Sequence, residues 1–219
     1  TKFALLNATF IAPYQNLLLY LMVAPIHVAW LHQDVALGSW DIVLAALFLV
    51  AGLLFKIGAV PFHMWVPDIY EGAPSPITGF MAAVGKAAAF AVVLRILMLD
   101  LAALDPVWRA SVAAVAVLTL GLGSLAALVQ DNIKRMLAYS SVAHAGFLLL
   151  GLIAGGPEGL ASVMLYLLIF TFMTLGLFAV IALLSKGAAQ GEPLTLFSGL
   201  SRTNAGLALL ALVFLFSLA

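Results

Sequence analysis

Apolar runs of about twenty residues follow one another along almost the whole chain, separated by short polar joints. A run of this length matches the hydrocarbon core of a bilayer, where only helices and closed barrels satisfy their own backbone groups. The runs are far too long to be the strands of a barrel. The pattern therefore predicts an all-α, polytopic transmembrane helix bundle.

The composition supports the same class and excludes several functions. Hydrophobic residues make up 65% of the chain and charged residues 8%, whereas a soluble domain has roughly a quarter charged residues. The formal net charge is zero, which argues against nucleic acid as a partner. The chain has no cysteine and its four histidines lack metal-ligand spacing, so no thiolate, iron–sulfur or metal site is predicted.

We predict a single transmembrane domain over residues 1–219, with six complete helices and the start of a seventh. The first residue is not methionine and the last lies within an apolar run, so we expect a fragment of a longer chain. The predicted segments are about 3–31, 41–70 with a break, 77–99, 107–129, 132–154, 159–185 and 204–219.

The basic residues favour one orientation of this bundle. Because the segments alternate in direction, one side carries five basic residues and the other carries two. The richer side is expected to be cytoplasmic, and it includes the joint Pro67–Pro76. The two sets are Lys2, Lys134, Arg135, Lys186 and Arg202 against Arg95 and Arg109.

Lys56 and Pro61 stand close together in the second segment. Lys56 lies roughly 22 Å along it, and a lysine near the bilayer centre costs at least ~2.5 kcal/mol. We therefore expect Lys56 to face the bundle interior and to bind and release a proton, or else to be a permanently paired structural lysine. Pro61 lacks a backbone donor and crowds the carbonyl of Ile57, which predicts a broken helix between Lys56 and Pro61. Such a break lines a water-filled cavity or is an ordinary proline kink.

Two further groups extend this candidate proton path. His63 follows Lys56 by seven residues and would share its face if the helix continued regularly, and imidazole relays protons near neutral pH. Lys86 lies roughly 14 Å into the third segment, near the middle of the membrane. Small residues around it allow either close helix packing or water. Glu71, in the joint between these segments, is interpreted as a solvated cap.

The segment 132–154 carries a polar stripe with His144 roughly 18 Å from its start, near mid-membrane. A serine beside a histidine can indicate a hydrolase, but no carboxylate partner or nucleophile elbow accompanies it. A hydrated hydrogen-bonded path is the better interpretation. The stripe contains Lys134, Ser140, Ser141 and His144, with Tyr139 beside them. On the next segment the hydroxyls assigned to helix packing are those of Tyr166, Thr171 and Thr174.

Taken together, these groups indicate translocation of protons or cations along titratable side chains and water. The candidate proton-carrying residues are Lys56, Lys86, His63 and His144. Their spacing leaves a pump subunit and a secondary antiporter equally open.

Two motifs resemble a known family. Residues 55–96, which begin FKIGAVPFHMWVPDIYEGAPSP, are similar to the antiporter-like membrane subunits of respiratory complex I, the proton-pumping NADH:quinone oxidoreductase. Their form looks most like the subunit N branch. Residues 132–151, NIKRMLAYSSVAHAGFLLLG, look like the next signature of that family.

This resemblance implies an antiporter-like fold with five-helix inverted repeats, each with a broken helix. It implies that Lys56 is the lysine of the first broken helix and that Lys86 is the lysine of the central axis. His63 and His144 would be relay histidines. The glutamate partner of Lys56 and the lysine of the later repeat are expected outside residues 1–219.

The resemblance also implies an enzyme role as a translocase subunit in the bacterial inner membrane or an equivalent energy-transducing membrane. No cofactor is expected in this chain, because NADH, FMN, iron–sulfur clusters and quinone would bind other subunits. The implied partners are other membrane-arm subunits of complex I, the lipid bilayer and protons. The alternatives are a subunit of a multi-subunit cation/proton antiporter and a non-conducting membrane scaffold of the same fold.

Overall fold

The structure is a computed structural model that describes residues 39–100, 105–185 and 192–218. The predicted segment 3–31 lies outside the described residues. Within these ranges every long element is a helix, which confirms the predicted all-α class. The helices are α1 Ser39–Ile57, α2 Trp65–Gly72, α3 Ser75–Met98, α4 Asp105–Leu128, α5 Ile133–Ala154, α6 Gly156–Leu184, α7 Leu200–Thr203 and α8 Ala205–Leu218.

Four of the described helices are long and apolar enough to cross a membrane: α3, α5, α6 and the part of α4 from Trp108 to Leu128. Two shorter stretches are also apolar, Leu47–Ile57 of α1 and the whole of α8. Uninterrupted apolar helices of this length are expected where lipid rather than water surrounds the backbone.

The predicted break between Lys56 and Pro61 is confirmed. Helix α1 ends at Ile57, and the next helix begins only at Trp65. Gly58 has φ +75°, a left-handed conformation that favours glycine. A Cβ atom on Gly58 would also lie 2.7 Å from the side chain of Val66. Glycine is therefore required here on both grounds.

Two backbone groups at the break have side-chain partners among the described residues. The Trp65 indole donates a hydrogen bond of 3.0 Å to the Phe55 carbonyl oxygen. The Val60 amide donates one of 3.0 Å to Thr119 Oγ1 on α4. Because a break at membrane depth is tolerated only when its polar groups are satisfied, these contacts explain how the chain sustains it.

Helices α4 and α5 approach each other closely. A Cβ atom on Gly123 would lie 2.6 Å from the backbone nitrogen of Ala143. Small residues at such a crossing let two membrane helices pack backbone against backbone. This contact fixes the position of α5, which carries Ser141 and His144.

The buried apolar side chains form two clusters among the described residues. One is built around Phe90, Trp108 and Leu149, and the other around Tyr70 and Phe178. Helix α3 contributes to both, with Ala82 in the second cluster and Phe90 in the first. Lys86 therefore lies on α3 between two apolar regions.

Candidate functional site

Lys86 is the centre of the candidate site. A π-helical turn over Met81–Gly85 ends directly before it, and such turns are frequent at functional sites. Only 7% of Lys86 is exposed. Its Nζ donates to Ser141 Oγ at 2.5 Å and also to the Ser141 carbonyl oxygen. The ammonium group lies 5.5 Å from the centre of the Phe170 ring and has no carboxylate partner among the described residues.

His144 lies beside the same ring. The centroid of the His144 ring is 5.0 Å from that of the Phe170 ring, so the predicted residues Lys86 and His144 contact one aromatic side chain. His144 Nδ1 is 2.6 Å from the hydroxyl oxygen of Tyr166. The assignment of Tyr166 to packing missed this hydrogen bond, because neither segment alone shows which sides of α5 and α6 contact each other.

Tyr70 is a further member that the sequence reasoning missed. Only 4% of it is exposed, and its side chain lies close to that of Ser141. Its ring packs edge-on against Phe178, with centroids 6.3 Å apart. Ser141 therefore contacts Lys86 on α3 and lies near Tyr70 on α2. The one sequence signal that could have identified Tyr70 was its position in the polar joint between the second and third predicted segments.

His63 is buried, but it does not share a face with Lys56. The prediction assumed a regular helix, and α1 ends at Ile57 before reaching His63. The His63 ring lies 6.3 Å from that of Tyr139. Its Nδ1 atom is buried and has no hydrogen-bond partner among the described residues.

The side chain of Lys56 is exposed in the described part of the chain. Its ammonium group has no hydrogen-bond or ion-pair partner there. None of the described helices covers this side of α1, so the prediction that Lys56 faces a bundle interior stays a prediction. The structure brings Lys86 and His144 together and places Lys56 apart from them.

Lys134 does not belong to the Lys86 site, contrary to the predicted polar stripe. Its Nζ lies 3.3 Å from Glu192 Oε1, with side-chain exposures of 2% and 3%. It also donates to the Ala73 carbonyl oxygen at 2.9 Å. Ser75 Oγ donates to the same Glu192 oxygen at 2.8 Å. This ion pair joins the polar ends of α3 and α5 to the segment before α7, and nothing in the sequence singled out Glu192.

A second, more exposed ion-pair group lies nearby. Arg135 contacts Asp68 and Glu71, each at 2.8 Å. Glu71 also accepts a hydrogen bond of 3.4 Å from Asn132 Nδ2. The interpretation of Glu71 as a solvated cap is therefore wrong, because α5 brings Arg135 and Asn132 against it.

No group of three or more metal-ligating side chains occurs in the part of the chain that the structure describes. Within that part the chemistry available at Lys86 is proton binding by an amine, an imidazole and hydroxyl groups. All three kinds of group can pass a proton along a hydrogen-bond chain.

The family model and the curated relatives that match this chain indicate one family. The family described as NADH:quinone oxidoreductase/Mrp antiporter, transmembrane, matches residues 6–219. The chain is 51% identical over 222 residues to NADH-quinone oxidoreductase subunit N 2 of Rhizobium meliloti, covering 100% of this chain and 46% of that protein. It is 46% identical over 189 residues to subunit N of Coxiella burnetii, covering 86% and 38%. The chain thus spans about half the length of the curated relatives it matches.

Solved structures show the same fold. A chain of respiratory complex I from Thermus thermophilus with bound aureothin matches with a TM-score of 0.77 and 32% identity, over 94% of this chain and 46% of that one. A chain of the Mrp complex from Dietzia sp. DQ12-45-1b matches with a TM-score of 0.80 over 94% of this chain and 39% of that one. At 21% identity the second match shows the fold alone. The predicted antiporter-like fold is confirmed.

Proposed function

We propose that this chain is part of a proton-translocating subunit, because it belongs to the NADH:quinone oxidoreductase/Mrp antiporter membrane family. That subunit would lie in the membrane arm of an NADH:quinone oxidoreductase. The names of the relatives from Rhizobium meliloti and Coxiella burnetii support this choice within the family.

The main observation behind the proposal is the environment of Lys86. Its buried ammonium group is held by Ser141 and the Phe170 ring, and no described carboxylate neutralises it. The same chain contains a contrasting case, because the equally buried Lys134 is paired with Glu192. An amine held by neutral groups loses its proton more readily than an amine in an ion pair. Lys86 is therefore suited to carry protons, and Lys134 is suited to hold the fold together.

In this proposal Ser141 connects Lys86 with its surroundings. Its hydroxyl accepts a hydrogen bond from Lys86 and lies close to Tyr70 on α2. His144 and Tyr166 form an adjacent hydrogen-bonded pair. His63, with its free buried ring nitrogen, would continue the path towards the break, and Lys56 would exchange its proton with groups outside the described residues.

The rest of the proposal concerns the assembly. This chain would have no redox centre, and NADH, FMN, iron–sulfur clusters and quinone would bind other subunits. Its partners would be other membrane-arm subunits in a bacterial inner membrane, with the joint Pro67–Pro76 on the cytoplasmic side. Electron transfer elsewhere would then drive the proton through this subunit.

Replacing Lys86 in the full-length subunit of the assembled complex tests the proposal. In proteoliposomes, Lys86→Met is expected to abolish most NADH-driven proton uptake or release, measured with a pH-sensitive dye. Arg95→Met is the matched control, because Arg95 is exposed near the end of the same helix. Normal assembly with wild-type pumping and NADH:quinone activity in Lys86→Met would refute the proposal and favour a scaffold. Sodium movement driven by an imposed pH gradient without NADH would instead favour a cation/proton antiporter.

A further inference from the structure

A small cavity lies next to Ser141, where α3, α5, α6 and α8 meet. It leaves about 10 Å³ for the centre of a water molecule, which is close to the space that a single buried water needs. Most of its wall is apolar, and the polar side chains in the wall all carry hydroxyl groups. The wall includes Ala82, Ser140, Ser141, Phe170, Thr174 and Leu218.

Thr174 supplies an independent sign of a ligand. Only 5% of this residue is exposed. Its Oγ1 atom is buried and has no hydrogen-bond partner among the described residues. A threonine inside a helix commonly donates to the carbonyl one turn earlier, and Thr174 does not do so. Because buried hydroxyl groups almost always have a partner, the Thr174 hydroxyl requires one in the cavity that it lines.

The serines provide the remaining polar contacts. Ser141 Oγ accepts a hydrogen bond from Lys86 Nζ, so it can donate its own hydrogen elsewhere. Ser140 lines the same cavity from the adjacent position on α5. Three hydroxyl groups match the two to four polar partners of a typical buried water. The Lys86 ammonium, which is hydrogen-bonded to Ser141, disfavours a metal cation at this place.

We propose that this cavity binds one water molecule and that Thr174 is the residue that positions it. The hydrogen-bond chain from Lys86 then runs through Ser141 and this water to α6. The inference rests on the proposed role of Lys86 as a proton carrier. The ammonium group gives a proton to Ser141 Oγ while the hydrogen of that hydroxyl moves to the water. The step leaves a neutral amine, an intact serine hydroxyl and one additional proton on the water.

Three variants of the full-length subunit in the assembled complex test this role. Thr174→Val removes the hydroxyl and keeps the shape of the side chain, whereas Thr174→Ser keeps the hydroxyl. Thr171→Val is the control, because Thr171 lies on the same helix and does not line the cavity. The measurements are a density map that resolves ordered water and the number of protons moved per NADH oxidised.

We expect water density within about 3.2 Å of the residue 174 hydroxyl oxygen in the wild type and in Thr174→Ser. Thr174→Val should lose this density and pump several-fold less, while Thr171→Val should behave as the wild type. A dry cavity in the wild type, or wild-type pumping in Thr174→Val, overturns the inference. If Lys86→Met still pumps, the proposed function fails, and the density map decides the water site separately. If Lys86→Met stops pumping and Thr174→Val does not, the inference fails while the proposed function stands.

Discussion

The ion pair between Lys134 and Glu192 should be the most costly polar contact to break among the described residues. Both side chains are almost fully buried, and the charged atoms lie 3.3 Å apart. Glu192 Oε2 already lacks a partner within the described part of the chain, so the carboxylate depends on Lys134 and Ser75. Removing one member of a buried pair leaves an uncompensated charge and costs about 3–5 kcal/mol. We expect Lys134→Met to lower the free energy of unfolding of the full-length subunit by this amount.

The double variant separates loss of the pair from loss of either side chain. In Lys134→Met with Glu192→Gln neither position of the pair keeps a buried charge, so we expect this variant to be more stable than Lys134→Met alone. The amide of residue 192 can still accept the Ser75 hydrogen bond. The free energy of unfolding can be measured by titrating the purified subunit in mixed micelles with dodecyl sulfate.

Asp68→Asn is the matched control for Lys134→Met, because it breaks an exposed ion pair instead of a buried one. The Asp68 side chain is 72% exposed and its partner Arg135 is 31% exposed, and such a pair contributes about 0–1 kcal/mol. A cost of less than about 1 kcal/mol for Lys134→Met would refute the assignment of Lys134 to a buried structural pair. So would a double variant that is no more stable than the single one.

Two further predictions concern helix packing and capping, with the same unfolding measurement. Gly123→Ala should destabilise the subunit by about 1–3 kcal/mol, because its Cβ atom would meet the Ala143 backbone at 2.6 Å. Gly121 faces open space on the same helix, so Gly121→Ala should be neutral or slightly stabilising. Equal losses of unfolding free energy in Gly123→Ala and Gly121→Ala would contradict the packing of α4 on α5. Asn132→Ala should cost about 1 kcal/mol, because the Asn132 side chain accepts hydrogen bonds from two amides at the start of α5. Asn132→Ser should recover most of this loss, and failure to recover it would point to the Glu71 contact instead of the cap.

Much of the fold could be predicted because its signals are local. Apolar runs of membrane length mark the helices, and the structure has helices near each predicted segment that it describes. The break was predictable because Pro61 and Gly58 act on their own backbone and its immediate neighbours. Lys86 and His144 stood out because an ionisable residue within a membrane helix is costly wherever its partner lies.

The partners of these residues could not be predicted in the same way. Sequence spacing placed Lys134 and Ser141 on one stripe of α5, yet Lys134 pairs with Glu192 and Ser141 binds Lys86. The two contacts lie at different depths of the bundle, and each depends on a segment far away in the chain. The error for His63 has a local cause, since periodicity cannot be extended across a break.

The sequence by itself thus determined the membrane class, the position of the broken helix and the residues that carry the candidate chemistry. These follow from hydropathy, proline and glycine, whose effects act within a few residues. Only the tertiary structure decided that Lys86 is held by neutral groups while Lys134 is neutralised, and that Tyr70 and Thr174 belong near Ser141. The physical reason is that the protonation chemistry of a buried amine depends on the charges around it, and distant helices supply those charges.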